Sequence, residues 1–110
     1  MGITKAEIKE VWIDQIKTAM SQADKSIIGV ADDGTCNFDM VVIEKEKFFT
    51  YAETIELFKN LGISAYKMSA GYIGLPHFMG QANRNTTWVK SFEYWLKEQG
   101  FKTSIHYQMD

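Results

Sequence analysis

Gly71-Tyr72-Ile73-Gly74-Leu75-Pro76-His77-Phe78-Met79-Gly80-Gln81-Ala82-Asn83-Arg84-Asn85-Thr86 is the stretch on which the fold turns. It carries the only proline and the only arginine of the chain, one of its two histidines and three of its eight glycines. A connection of more than about a dozen residues without its own periodicity is uncommon in a compact domain, and is usually functional or disordered. Five large apolar residues, Tyr72, Ile73, Leu75, Phe78 and Met79, argue against disorder. The sequence therefore predicts a long ordered loop here, between a strand and a helix, with a binding site on it.

Working outward, the segment after the loop has the grammar of a helix followed by a strand. Thr86 or Thr87 to Gln99 carries the stripe Trp88, Val89, Phe92, Trp95 and Leu96, and Gly100 stands where a left-handed cap ends a helix. Phe101 to Met109 then alternates, with Thr103, Ile105, Tyr107 and Met109 on one face and Ser104, His106 and Gln108 on the other, which suits an edge strand. The segment before the loop repeats this order. Thr50-Tyr51-Ala52-Glu53 has capping-box spacing, Phe49 is placed as a staple, a helix runs to Leu61, Gly62 ends it and Ile63 to Ser69 reads as a strand.

Nearer the N-terminus, Thr4-Lys5-Ala6-Glu7 is a second capping-box pattern, opening a helix from Lys5 to Ala23. Its apolar positions spread over roughly 200 degrees, wider than an ordinary core stripe. Either Trp12 and Ile13 pack under a loop, or they form a self-association face for a homodimer. Ser26 to Ala31, the turn Asp32-Asp33-Gly34-Thr35 and Cys36 to Glu44 read as a hairpin, because Asp-Gly supplies the positive φ of a tight turn. The run Met40 to Ile43 is apolar on both faces, as in a central strand.

These elements predict an α+β (α/β-like) fold in a single domain over residues 1–110, in the order α-β-β-α-β-(long loop)-α-β. The right-handed crossover rule makes strands two, three and four parallel, leaving strand one antiparallel at the edge of a four-stranded mixed sheet with helices packed on it.

Composition narrows the function. The chain has 110 residues, 45% hydrophobic and 24% charged, an ordinary globular profile. Its net charge of -2, with basic residues that are nearly all lysine, argues against a phosphate-backbone footprint, so duplex nucleic acid is not an expected partner. Residues 1–7 do not read as a secretory signal, and no apolar run approaches the roughly 20 residues of a membrane span. The lone Cys36 makes no internal disulfide and no zinc spacing is present, so a cytoplasmic protein without metal or cofactor is the expectation.

The candidate site is Tyr72, His77, Phe78, Gln81, Asn83, Arg84, Asn85 and Thr86. Beyond the carboxyl end of a parallel strand, these polar groups would gather at a helix N-terminus, whose free N–H groups attract anions. Arg84 adds a forked donor for phosphate or carboxylate. Each residue also has a structural reading: Asn85 or Thr86 as helix N-cap, Asn83 as a turn residue, Arg84 as a surface charge, His77 as a packed histidine, and Tyr72 and Phe78 as loop anchors.

Three functions compete. The first is small-ligand binding, the capture of an anionic small molecule such as a nucleotide by loop 71–86 and the following helix. The second is a non-enzymatic protein-protein interaction, as in an inhibitor or immunity-type protein that docks through the aromatics of residues 72–79. It requires exposed Tyr72, Phe78 or Met79 with no cavity beneath. The third is an enzyme with His77 as acid or base, for which only Glu44, Asp110 or Glu53 is offered as a partner by position.

Overall fold

A computed structural model describes residues 4–32, 38–79 and 82–107. Three helices and a four-stranded sheet follow one another as α1 (Lys5–Ser26), β1 (Met40–Glu44), α2 (Tyr51–Asn60), β2 (Tyr66–Ser69), β3 (Tyr72–Leu75), α3 (Ala82–Glu98) and β4 (Thr103–His106). The architecture is α+β.

Both capping patterns operate. Thr4 accepts a hydrogen bond from the Glu7 backbone, and Thr50 and Glu53 close a complete reciprocal box at the start of α2. Glu53 also meets Lys5 at 2.7 Å; the Lys5 hydrogen bond, with the Thr50 backbone N–H, holds its carboxyl at about 2. The two glycine stops share one geometry. Gly62 and Gly100 have φ of +84° and +96°; Ile63 returns its N–H to the Phe58 carbonyl, and Phe101 returns its own to Leu96. This is the six-to-one bond of a Schellman cap, which turns each helix directly into the following core residue.

The sheet order is β2-β3-β1-β4, and every pairing is antiparallel. This corrects the expected mixed sheet, and the cause is β3. Residues 72–75 are not loop: Ala70 and Gly71 form a two-residue turn that pairs Ser69 with Tyr72, and Gly71 takes the φ of +85° that a type II turn requires at its third position. The strand so made slides between β1 and β2. These two remain parallel in direction but no longer touch, and by the same logic β4 runs parallel to β3 while pairing antiparallel with β1. Each helical crossover skips one strand.

The expected N-terminal hairpin also changes. Ser26, assigned to a strand, is the last residue of α1, and Ile27 to Gly29 form a turn that Gly29 leaves with φ +81°. The β-branched pair Ile27 and Ile28 signals a strand, but Ile27 caps the helix and is buried in the core. Residues 33–37, which hold most of the turn, and Cys36 with them, lie outside the described residues. The expected central position of Met40 to Ile43 and edge position of β4 hold.

The helices share one core with one face of the sheet. In α1 the buried positions Trp12, Ile16, Ala19 and Ala23 fall at helical spacing, and the two alanines let α3 approach closely. Val89, Phe92 and Leu96 of α3 join Val41, Ile43, Ile73 and Leu75 of the sheet in the same cluster. The wide stripe of α1 is covered from within: Phe49 and Phe101 meet the Trp12 ring edge-on at 5.4 and 4.8 Å. Trp12 is therefore buried and Ile13 packs against the core, which removes the proposed self-association face. No helix among the described residues is long and apolar enough to cross a membrane.

Candidate functional site

The register defines the sheet's second face. Residues opposed across an antiparallel pair point the same way, and alternate residues along a strand point opposite ways. Since Val41, Ile43, Ile73 and Leu75 face the helices, Met40, Val42, Glu44, Tyr72 and Gly74 face away from them, together with Tyr66, Ser104 and His106. Across the strands this outer face reads Ser69, Tyr72 and Glu44, then Tyr66, Gly74, Val42 and Ser104, then Met40 and His106.

Tyr66 and Tyr72 stand on neighbouring strands and remain 41% and 44% exposed. The Tyr66 ring crosses over Gly74, two of its carbons 3.0 Å from where a β-carbon would stand, and its hydroxyl donates to the Met40 sulfur at 3.6 Å. Gly74 thus provides the seat on which an edge-strand tyrosine reaches the central strand. Met40 and Val42 lie buried on the same face but outside the cluster shared with the helices. At the rim, Phe78 is 43% exposed and meets Phe38 edge-on at 5.4 Å. Charge on this face is nearly balanced, with Lys102 reaching Glu44 at 3.6 Å.

The remaining residues of the expected site go elsewhere. Helix α3 begins a turn earlier than its sequence pattern suggests, at Ala82, so Asn83, Arg84, Asn85 and Thr86 are helical. Asn85 is consequently not an N-cap. It is fully buried, and its side chain accepts from Met79 N–H at 3.0 Å and donates to the Asp39 carbonyl at 3.3 Å. Arg84 turns to the end of α1, where one terminal nitrogen donates to the carbonyls of Ile27 at 3.2 Å and Val30 at 3.1 Å. The Ile27 carbonyl also accepts the Val30 N–H at 3.1 Å, so Arg84 braces the turn that follows α1. Asn83 gives its carbonyl to the Thr87 hydroxyl, Thr86 is half-buried, and Gln81 lies outside the described residues.

His77 is a packed histidine. Its ring lies 4.8 Å from that of Trp88, whose indole N–H donates to Asp24 at 2.8 Å. Burial pushes its pKa below the ordinary 6.5, while the Asp24 charge pulls the other way. The carboxylates offered as its catalytic partners are engaged away from it, Glu44 with Lys102 and Glu53 with Lys5, and Asp110 lies outside the described residues. Among the described residues no group of three His, Cys, Asp or Glu side chains could hold a metal ion.

Among the described residues, three of the surface hollows lie away from residues 71–86. Two lie between α1 and α2, around Lys5, Lys9 and Glu56 and around Met20, Ile28 and Leu61. The third, about 330 Å³, lies at the end of the sheet between Trp12, Gln15, Glu44, Lys47, Phe101 and Lys102. Sequence reasoning missed this hollow because its walls come from three distant segments. It also missed Tyr66, whose place beside Gly74 depends on the unforeseen β3.

No protein-family model matches the chain, and comparison with curated proteins and with solved structures finds no match either.

Proposed function

We propose that this protein acts by docking onto another protein through the outer face of its sheet. The observation that carries this reading is the placement of Tyr66 and Tyr72 on adjacent strands, pointing away from the helices and each about two-fifths exposed, with Phe78 at the rim. Aromatic side chains that combine large apolar area with a hydrogen-bonding tip dominate protein interfaces. The face suits a partner surface that is apolar and uncharged, since its clearest charges, Glu44 and Lys102, already meet each other.

A four-stranded sheet with exposed aromatics can also stack the bases of single-stranded RNA. Charge favours protein here. Single-strand binders line the backbone path with cations, whereas Lys67 of β2 faces the opposite side of the sheet, Lys102 is opposed by a carboxylate, and the chain is net negative. The Arg84 guanidinium serves backbone carbonyls, which leaves it less available to an anion.

Photo-crosslinking tests the proposal. A photoreactive residue at position 72 should give a discrete protein adduct in cells that Tyr66→Ala abolishes, whereas the same residue at Tyr94, a more exposed aromatic on α3, should not. Equal labelling from both positions, or saturable binding of single-stranded RNA that Tyr72→Ala removes, overturns it.

A further inference from the structure

The two edges of the sheet, β2 and β4, are finished differently. β2 carries two devices that discourage further strand pairing. One is a bulge between Lys67 and Ser69; the other is the charge of Lys67, whose ammonium lies 4.5 Å from the centre of the Tyr51 ring. β4, Thr103-Ser104-Ile105-His106, holds no proline, lysine or carboxylate, and it pairs with β1 in unbroken register. Its far side is an open edge among the described residues.

The register shows which backbone groups that edge offers. The Glu44 N–H donates to the Lys102 carbonyl at 2.9 Å, so Lys102, Ser104 and His106 are the residues whose backbone bonds to β1. Thr103 and Ile105 alternate with them, so their N–H and C=O groups point away from the sheet. Neither backbone finds another partner among the described residues. The charges beside the edge are met within the chain, Lys102 by Glu44 at 3.6 Å and Lys97 by Glu93 at 3.2 Å. An uncharged edge that offers donors and acceptors in alternation is complementary to itself when turned about a two-fold axis.

We infer that a second copy of this chain pairs its β4 antiparallel to this one, joining two four-stranded sheets into one continuous sheet. Outward groups on one strand must meet outward groups on the other. One symmetric register serves both Thr103 and Ile105 within β4: Thr103 stands opposite Ile105 of the second copy, and Ser104 stands opposite itself at the axis. Opposed residues point to the same face, so Thr103 and Ile105 meet on the helix side and the two serines on the outer face. Lys102 then meets His106, with the Glu44 carboxylate beside Lys102 to offset its charge. The pairing uses the edge of the sheet and does not depend on the docking face proposed above.

Sedimentation velocity of the intact protein over a concentration series tests this, and a reversible monomer-dimer equilibrium is expected. Ser104 is exposed on the outer face, so substitution there leaves the fold intact. Ser104→Lys sets like charges directly opposite each other and should weaken dimerisation about fivefold. Ser104→Cys, in a Cys36→Ser background that removes the only other thiol, should close a disulfide across the axis on mild oxidation. A pair without mutual hydrogen bonds brings its α-carbons to about 4.5 Å, within disulfide reach. Ser69→Cys in the same background, on the bulged edge, should not crosslink. A protein that stays monomeric to millimolar concentration, a dimer that Ser104→Lys leaves as tight, or equal crosslinking from both positions overturns the inference.

Discussion

Asn85 and Asp39 are joined across 46 residues of sequence by a hydrogen bond from the Asn85 amide to the Asp39 backbone carbonyl, while the Asn85 oxygen accepts from Met79. One fully buried side chain thus ties the first turn of α3 to the segment entering β1 and the segment leaving β3. Asn85→Ala leaves a buried N–H and a buried carbonyl without this partner, a loss of about 2 to 4 kcal/mol. A mere N-cap would cost about 1 kcal/mol and would tolerate aspartate. Urea denaturation should therefore show a large loss for Asn85→Ala, and a loss for Asn85→Asp as well, since aspartate brings a charge in place of the donor facing Asp39.

Arg84 acts on α1 in the same way. Its terminal nitrogen gathers the carbonyls of Ile27 and Val30, so Arg84→Met should destabilise the protein by about 1 to 2 kcal/mol. Hydrogen exchange locates the effect. Protection should fall at the end of α1 and in residues 27–30, with little change in β2 or β3; a uniform fall would show that the guanidinium matters through general packing instead.

The His77 environment makes stability depend on pH. In the unfolded chain the imidazole titrates near the ordinary 6.5, whereas burial holds the folded value lower. Between those two values the unfolded state binds more protons, so stability rises with pH there; it is fully present above 6.5 and is lost as pH falls below it. His77→Phe, which keeps a ring against Trp88, should flatten the dependence of the melting temperature between about pH 7.5 and 5.5. Asp24→Asn should steepen it, because the favourable charge goes while an acceptor for the Trp88 indole remains.

Much of this fold was legible where the signal was local. Thr50 with Glu53, Gly62 and Gly100 each mark a helix end through one or two residues, and the apolar run Met40 to Ile43 marks a central strand without reference to the rest. The candidate site was harder to read because it rests on a single misassigned segment. Ala70-Gly71 is a weaker hairpin signal than Asp-Gly, and the glycine, proline and histidine that follow hid a four-residue strand. Once Tyr72 to Leu75 became β3, Tyr72 moved from a loop to the sheet's outer face. The early start of α3 placed Arg84 and Asn85 inside a helix, where they serve the backbone. Tyr72 and Phe78 alone kept the exposure the sequence reading required.

The Tyr66 ring and Gly74 supply a direct test of how the outer face is built. A β-carbon at position 74 would stand 3.0 Å from two ring carbons, closer than such contacts normally come, so Gly74→Ala forces the ring to move. Tyr66 is on an edge strand and 41% exposed, so it can swing outward without disturbing the core. Its hydroxyl then leaves the Met40 sulfur, and the buried Met40 is opened. The lost contact is offset in part because alanine restricts the unfolded chain more than glycine does, worth about 0.4 to 1 kcal/mol. Overall stability should change by less than about 1 kcal/mol, while nuclear Overhauser contacts between the Tyr66 ring and the Met40 methyl disappear. A partner that recognises the flat arrangement of Tyr66 and Tyr72 should then be lost from the docking face although the protein remains folded. Preserved ring contacts with a large loss of stability would instead show Tyr66 to be wedged in place, acting as part of the core.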